Sequence, residues 1–453
     1  MSRKPRTRLP AGPAARKVLT AFWAVFFALT GADESAAAEF YTLDGHGGPV
    51  MAIDVSPDGQ AVLTASFDYS VGLWHNRKPV WLEGHDAAAN SVVFVDDRRA
   101  ASGGDDFAIL VWDLRTHEAR RLRGHEGKIA SLAVSPDRSR LASASWDGSI
   151  GLWDLNGDAP PRFLTGHTAN VNAVAFTRDG RRLYSASADG TILQWDLASG
   201  RATHVVLRHG FGVNTLVLNE DERWLAYGAV DGGTRFVDLD TNAVLADLTL
   251  DRRPILAMDY SPRRRQLAVG DGHGYIMIVD TRTFEIAFDF RAARRGPVWA
   301  LKYTARGDNI LAGGLDDRVF SWPVETRRAK VQMAAAEPGF LRDAGTMSNG
   351  ERQFSRKCSV CHSLSPGSNR RAGPTLYGLF GRPAGTVEGY PYSKAMRLSP
   401  IVWSRETINA LFQLGPEHFA PGSKMPMQRI ARQQDRDDLI AFLREATASR
   451  SPE

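Results

Sequence analysis

The sequence predicts a protein of two parts, an all-β domain of seven repeated units followed by a small all-α domain. Three observations carry that expectation. A motif ending in Trp-Asp, or a remnant of it, recurs about every 42 residues between positions 40 and 325. The period stops after Trp322, and from about Ser348 the apolar spacing becomes helical. The two cysteines of the chain stand together in Cys358-Ser-Val-Cys-His362, inside the second part.

At 453 residues the chain can bury more than one core. Its 43% hydrophobic and 24% charged content is that of a globular protein, not a disordered one. The formal charge of +5 is concentrated at the start. Residues 1–38 hold Arg3, Lys4, Arg6, Arg8, Arg16 and Lys17 against Asp33 and Glu34. The remainder is close to neutral, which argues against a nucleic-acid partner. The same segment has the three parts of a secretory signal: a basic start, an apolar run from Val18 to Leu29, and small residues ending Ala36-Ala37-Ala38. That run is shorter than the roughly 20 residues that span a bilayer, and no later stretch is long or apolar enough. The expectation is a cleaved signal peptide over 1–38 and a mature chain in the periplasm, with no membrane span. The alternative is an uncleaved N-terminal anchor that holds the same domains facing the periplasm. With both cysteines in one motif, no disulfide framework is available.

A period of this length outranks local patterns in deciding the fold. Segments close with Leu-Trp-His at Trp74, Val-Trp-Asp at Trp112, Leu-Trp-Asp at Trp153 and Gln-Trp-Asp at Trp195. Weaker copies follow at Val237-Asp238, Val279-Asp280 and Ser321-Trp322. The intervals are 38, 41, 42, 42, 42 and 43 residues. Gly-His pairs end at His46, His85, His125 and His167 in the first four units, and His209 takes the matching place in the fifth. Six residues before the closing position stands Asp68, Asp106, Asp147, Asp189, Asp231 or Asp316, with His273 in the sixth unit. Ten residues before it, Thr64, Ser102, Ser143 and Ser185 supply a hydroxyl. Within a unit, Val171-Asn-Ala-Val-Ala-Phe176 alternates as a half-buried strand, Thr177-Arg-Asp-Gly180 makes the turn, and Arg182–Ser187 is the next strand.

This pattern resembles the WD-repeat family, whose unit of about 40 to 45 residues is one four-stranded propeller blade. The resemblance implies a seven-bladed WD-repeat propeller over 39–325, closed with few exposed sheet edges. It also implies that the His, hydroxyl, Asp and Trp of units one to four form buried hydrogen-bonded tetrads. The four histidines are then structural and not metal ligands. Units five to seven lack a full tetrad and rest on period and Asp position. Glu39-Phe-Tyr-Thr-Leu43 precedes the first unit and can supply the outer strand of the last, latching the ring. The family implies a rigid platform that binds other proteins. No phosphate loop, nucleophile elbow or metal-spaced cluster marks the repeats. Pro262-Arg-Arg-Arg265 reads as a solvated turn, with a basic docking spot as the alternative.

Residues 326–347 read as a polar, Ala-rich linker broken by Pro338-Gly339. The Cys358-Ser-Val-Cys-His362 motif beyond it is the attachment signature of c-type haem. Two thiols two residues apart reach the two vinyl groups on one porphyrin edge, and the His that follows ligates the iron. Redox dithiols and zinc sites also use C-x-x-C, but no other cysteine is present to complete a zinc site.

Residues 348–447 resemble the class I, mitochondrial-type cytochromes c, with 448–453 as a tail. Gly350 and Phe354 stand where that family packs its first helix on its last, which Arg436–Leu443 matches through Leu439 and Phe442. The resemblance implies one covalent haem c on Cys358, Cys361 and His362, with the Pro374 carbonyl of Gly373-Pro374 accepting the second imidazole proton. It implies propionate contacts from Tyr392 and Trp403, whose other reading is core filling. In Pro421-Gly-Ser-Lys-Met425 it makes Met425 the second axial ligand to the iron, with Met427 and His418 as rivals. Leu411 stands where the family often has a Tyr near the Met sulfur, a departure that should alter the potential.

His/Met ligation fills both axial positions and favours electron transfer over bond-making chemistry. The expected function is that of a periplasmic electron carrier, with the propeller as the docking platform for redox partner proteins. Lys394, Lys424, Arg370 and Arg371 would steer an acidic partner, or are scattered solvated charge. The alternative is a haem-containing oxidoreductase whose propeller carries a substrate or second-cofactor site. A haem-based sensor is the third reading. N-terminal sequencing of the mature protein should start at Glu39; a start at residue 1 would mean an uncleaved anchor.

Overall fold

The computed structural model describes residues 38–251, 254–293, 296–325, 347–359, 361–367, 371–425 and 428–448. The signal segment, most of the linker, Arg370 and Met427 therefore lie outside the described residues.

Seven four-stranded antiparallel sheets form the β domain. Blades one to six run in chain order over 50–83, 89–122, 129–165, 171–208, 213–247 and 255–291. The seventh combines Val298–Tyr303, Asn309–Gly314 and Arg318–Pro323 with Tyr41–Asp44 as its outer strand. Tyr41 pairs with Ser321 and Asp44 with Arg318, so the N-terminal strand latches the ring. Asn309 Nδ2 donates to the Glu39 carbonyl at 2.8 Å, and Phe40 packs on Trp322 with ring centroids 4.7 Å apart.

One device repeats in every joint between blades. The first residue of each innermost strand (Val50, Ala89, Ile129, Val171, Val213, Ile255 or Val298) is buried, and the register shifts just after it. Such a bulge bends the strand and increases its twist. The side chain then wedges against the preceding blade, where the facing residue is small. A Cβ on Gly103 would lie 2.4 Å from Ile129, and one on Gly228 2.3 Å from Ile255. Glycine is required there for close approach rather than for a turn.

Four tetrads pin blades one to four. In each, the His Nδ1 donates to the Asp and the hydroxyl meets Nε2 while accepting from the indole. The contacts are 3.0, 2.6 and 2.8 Å for His46, Thr64 and Trp74. They are 2.6, 2.7 and 2.8 Å for His125, Ser143 and Trp153. His85 and His167 repeat the arrangement. Blade five keeps a variant. His209 turns its Nε2 to Asp231 at 2.9 Å, and the hydroxyl at its Nδ1 comes from Tyr227 at 3.1 Å. In blade seven the hydroxyl position is Ala312, and the buried Trp322 indole has no acceptor among the described residues.

A three-way ion cluster ties the seam. Lys302 of blade seven reaches Asp54 of blade one at 3.2 Å and Asp259 of blade six at 3.3 Å. The two carboxylates keep the ammonium charged by raising its pKa, and they accept from Phe94 N and Tyr303 N as well. The Pro262–Arg265 run is not one solvated patch, because Arg264 pairs with Glu325 and donates to the Gly307 carbonyl.

The second part is helical: α1 (Asn349–Lys357), α2 (Lys394–Arg397), α3 (Arg405–Leu414), α4 (Pro416–Phe419) and α5 (Gln433–Ala446). Ser348, Ser393 and Ser404 cap α1, α2 and α3, the last in a capping box with Thr407. The α1 and α5 helices cross at Gly350, where a Cβ would lie 2.1 Å from the Asp438 carbonyl oxygen. Phe354 and Phe442 then pack with centroids 5.6 Å apart, and Leu439 is fully buried.

The tetrads make the propeller acid-sensitive in two steps. Burial holds His125 and His167 below the usual 6.5, with their Asp partners opposing it only in part. Burial alone would raise Asp106 and Asp189, but donors that include the tetrad imidazoles outweigh it and hold both at about 2 against 3.8. In both cases the unfolded chain binds protons that the folded one resists, so stability falls with pH. The thermal midpoint should drop first as pH falls below 6.5 and again between 3.8 and 2. A midpoint independent of pH over that range, followed by scanning calorimetry, would contradict this account.

Candidate functional site

The end of α1 delivers the cysteine motif. The Cys358 backbone N–H still donates to Phe354 at 2.8 Å, and Cys361 and His362 fold back onto the Cys358 carbonyl at 3.0 and 2.8 Å. This tight turn places both thiols and the imidazole along one cleft. Burial pushes the Cys358 thiol up to about 12 and the Cys361 thiol to about 11. That is the reverse of the lowered pKa a redox dithiol needs.

His362 is half-buried, and desolvation lowers its pKa, which favours the neutral imidazole. Its Nδ1–H donates to the Pro374 carbonyl at 2.7 Å. That bond leaves Nε2 without a protein hydrogen bond among the described residues. The loop is held to the motif by Gly373 N–H on the Cys361 carbonyl and Leu376 N–H on the Ser363 carbonyl, both at 2.8 Å. Gly373 has no room for a side chain, since a Cβ would meet the His362 ring at 2.4 Å.

The cleft is partly open to solvent and lined mostly by apolar and aromatic side chains with a few polar groups, the make-up of a cofactor pocket. Leu379, Ile408, Leu411, Phe412 and Leu443 give it apolar walls. Met425, Tyr392 and Trp403 also line it. Met425 is half-buried, and its backbone N–H is anchored on Ser423 Oγ at 3.0 Å. His418 is exposed on α4 and does not line the cleft.

Several lining residues were not singled out from sequence. Met396 of α2 is buried core against the cleft. Tyr390 donates its hydroxyl to the Ala372 carbonyl. Arg382 is anchored by carbonyl acceptors at Tyr377 and Thr375, both at 2.7 Å, and burial lowers its pKa. Among the described residues it has no carboxylate partner, so the cleft holds an uncompensated cation. Gln428 Oε1 is buried without a hydrogen-bond partner. Of the expected steering cations, Lys394 is exposed, while Arg371 is turned inward onto the Ser359 carbonyl at 2.8 Å.

Fold and site together define a small helical haem-binding domain carried on the same chain as a β-propeller. Residues 347–447 match the cytochrome c family. Residues 38–75, 78–113, 117–154 and 159–196 match the family described as WD domain, G-beta repeat. The chain is 41% identical over 104 residues to cytochrome c of Sesamum indicum, covering 23% of this chain and 93% of that protein. It is 40% identical to cytochrome c of Chlamydomonas reinhardtii, with coverage of 23% and 93%. For cytochrome c of Theileria parva the identity is 39%, with coverage of 26% and 99%. The chain therefore belongs to the cytochrome c family through its C-terminal domain, joined here to WD repeats.

The cleft fits a haem on its own chemistry: apolar walls for the ring, an unpaired Arg382 for its carboxylates, and a free imidazole nitrogen for the iron. Replacing Gly373 with Ala should force the His362 ring off Pro374. A supporting bond of this kind is worth roughly 10- to 100-fold in metal affinity. The expected result is a lower haem-to-protein ratio in the purified variant, measured by absorbance, with the propeller's thermal transition unchanged.

Proposed function

We propose that the protein is a periplasmic mono-haem electron carrier whose propeller docks its redox partner proteins. The observation that carries this reading is the pairing, along one cleft, of an imidazole fixed through Pro374 with the thioether of Met425. Cys358 and Cys361 would hold the haem covalently, and His362 and Met425 would take the two axial positions. When bound, the haem supplies a one-electron iron couple with no position open to substrate.

The chain's own residues do the rest. Pro374 fixes the imidazole orientation and raises its basicity by accepting the Nδ1 proton. The apolar walls exclude water, which disfavours extra charge on the iron and raises the potential. Arg382, with Tyr392 and Trp403, would hold the propionates. Leu411 offers no hydroxyl beside the thioether, so the sulfur keeps its lone pairs for the metal. The basic, apolar and small-residue pattern of residues 1–38, read as a secretory signal, supports a periplasmic address, and haem attachment at a Cys-x-x-Cys-His motif suits that compartment.

Purified protein should contain one haem c per chain, with a low-spin ferric spectrum and a Met-to-iron charge-transfer band. Met425→Ala should abolish that band and let the reduced protein bind carbon monoxide, whereas Met396→Leu should leave both unchanged. A second chromophore or metal centre would overturn the carrier reading in favour of an oxidoreductase. Carbon monoxide binding by the wild-type protein would point to a sensor.

A further inference from the structure

The cleft wall is not made by the helical domain alone. Tyr69, in the turn between the second and third strands of blade one, lines it too. Its hydroxyl lies 3.4 Å from the Lys424 carbonyl oxygen, one residue before Met425. The Lys424 ammonium in turn lies 5.5 Å from the Tyr69 ring and 4.0 Å from Asp86, in the connection between blades one and two. Lys424, a candidate for steering an outside partner, is thus engaged by the propeller.

The turn itself marks Tyr69 as a specialised residue. The backbone there is left-handed, with φ of 74° at Tyr69. The equivalent positions in blades three to six are Gly148, Gly190, Gly232 and Gly274, with φ between 81° and 92°. Glycine is the residue this conformation favours, and a side chain there is held against its preference. Blade two also departs, with Phe107, but that ring is 46% exposed. The turn is held rigidly from below by the blade-one tetrad. Asp68 takes the His46 imidazole and Gly47 N–H on one oxygen and Ser70 N–H and Oγ–H on the other, at 2.6 to 3.0 Å. A buried polar network of the propeller therefore aims an aromatic ring at the haem cleft.

We propose that Tyr69 is a positioning residue of the haem site supplied by the propeller: its ring completes the cleft wall and braces the Ser423–Met425 segment. This rests on the axial role of Met425 above. The propeller then sets how readily the thioether leaves the iron, in addition to docking partners. Tyr69→Gly restores the residue four other blades use at this turn, so the variant should fold.

The test uses the full-length, haem-loaded ferric protein and imidazole as the probe, following loss of the Met-to-iron band in a stopped-flow instrument. Losing one packed aromatic contact should speed displacement by about tenfold in Tyr69→Gly. Tyr69→Phe should fall between the variant and wild type, since it keeps the ring and loses the hydroxyl contact. The propeller's thermal midpoint should not fall in either. A normal band with wild-type exchange rates in Tyr69→Gly would overturn this proposal alone. Absence of the band in the wild-type protein would overturn the Met425 assignment and this proposal with it.

Discussion

A buried imidazole has two nitrogens to satisfy, and both halves of this protein are organised by how that demand is met. In blades one to four every tetrad histidine is closed on both sides, by an Asp on Nδ1 and a hydroxyl on Nε2, and His209 of blade five is closed the other way round. The histidine is thereby spent, and what it yields is rigidity. At His362 only one side is closed, by the Pro374 carbonyl. The other nitrogen makes no protein hydrogen bond among the described residues and faces the cleft. The difference between a structural and a functional histidine is visible here as a difference in hydrogen-bond completeness.

The two uses are linked through the chain. Asp68 satisfies His46 and at the same time shapes the turn that presents Tyr69. A network whose first role is to hold three strands of one blade also fixes a side chain at the edge of another domain's cleft. Neither the tetrad nor the cleft explains Tyr69 by itself. The tetrad shapes the left-handed turn, and the cleft is what distinguishes Tyr69 from the exposed Phe107 at the same turn of blade two.

Much of this was legible in the sequence because the signals are local and repeated. The His, hydroxyl, Asp and Trp spacing of the first four units corresponds to tetrads in the structure, and Glu39–Leu43 overlaps the latch strand. The family match stops after residue 196, where full tetrads stop, so the same residues carry both signals. Blade five was read from period and Asp position. Its hydroxyl comes from Tyr227, at the position where the first four blades carry Ser or Thr, and the ring turns over to reach it. In blade six the expected Asp position holds His273. Asp271 is the buried carboxylate there, accepting from His273 N and Tyr275 N, a shift of two residues that a fixed spacing cannot show. Arg382 and Tyr390 line the cleft from an irregular loop and Met396 from the single turn of α2, stretches too short or irregular to leave a periodic trace. Tyr69 was least legible. Its only sequence signal is an aromatic residue in a column where four of the seven units carry glycine, and its partner lies 355 residues away.

The latch has a consequence for the order of assembly. Among the described residues Tyr41–Asp44 precedes every other strand in the chain, yet its partner, Arg318–Pro323, is the last strand of the repeats. Blades one to six can each complete their sheets as they emerge, since their strands are consecutive. The seventh cannot, and until it does the first strand is an unpaired edge and the ring has a gap at the Lys302 seam. Closure is therefore a single late event with a very long loop to close, and it should be the slow step in folding.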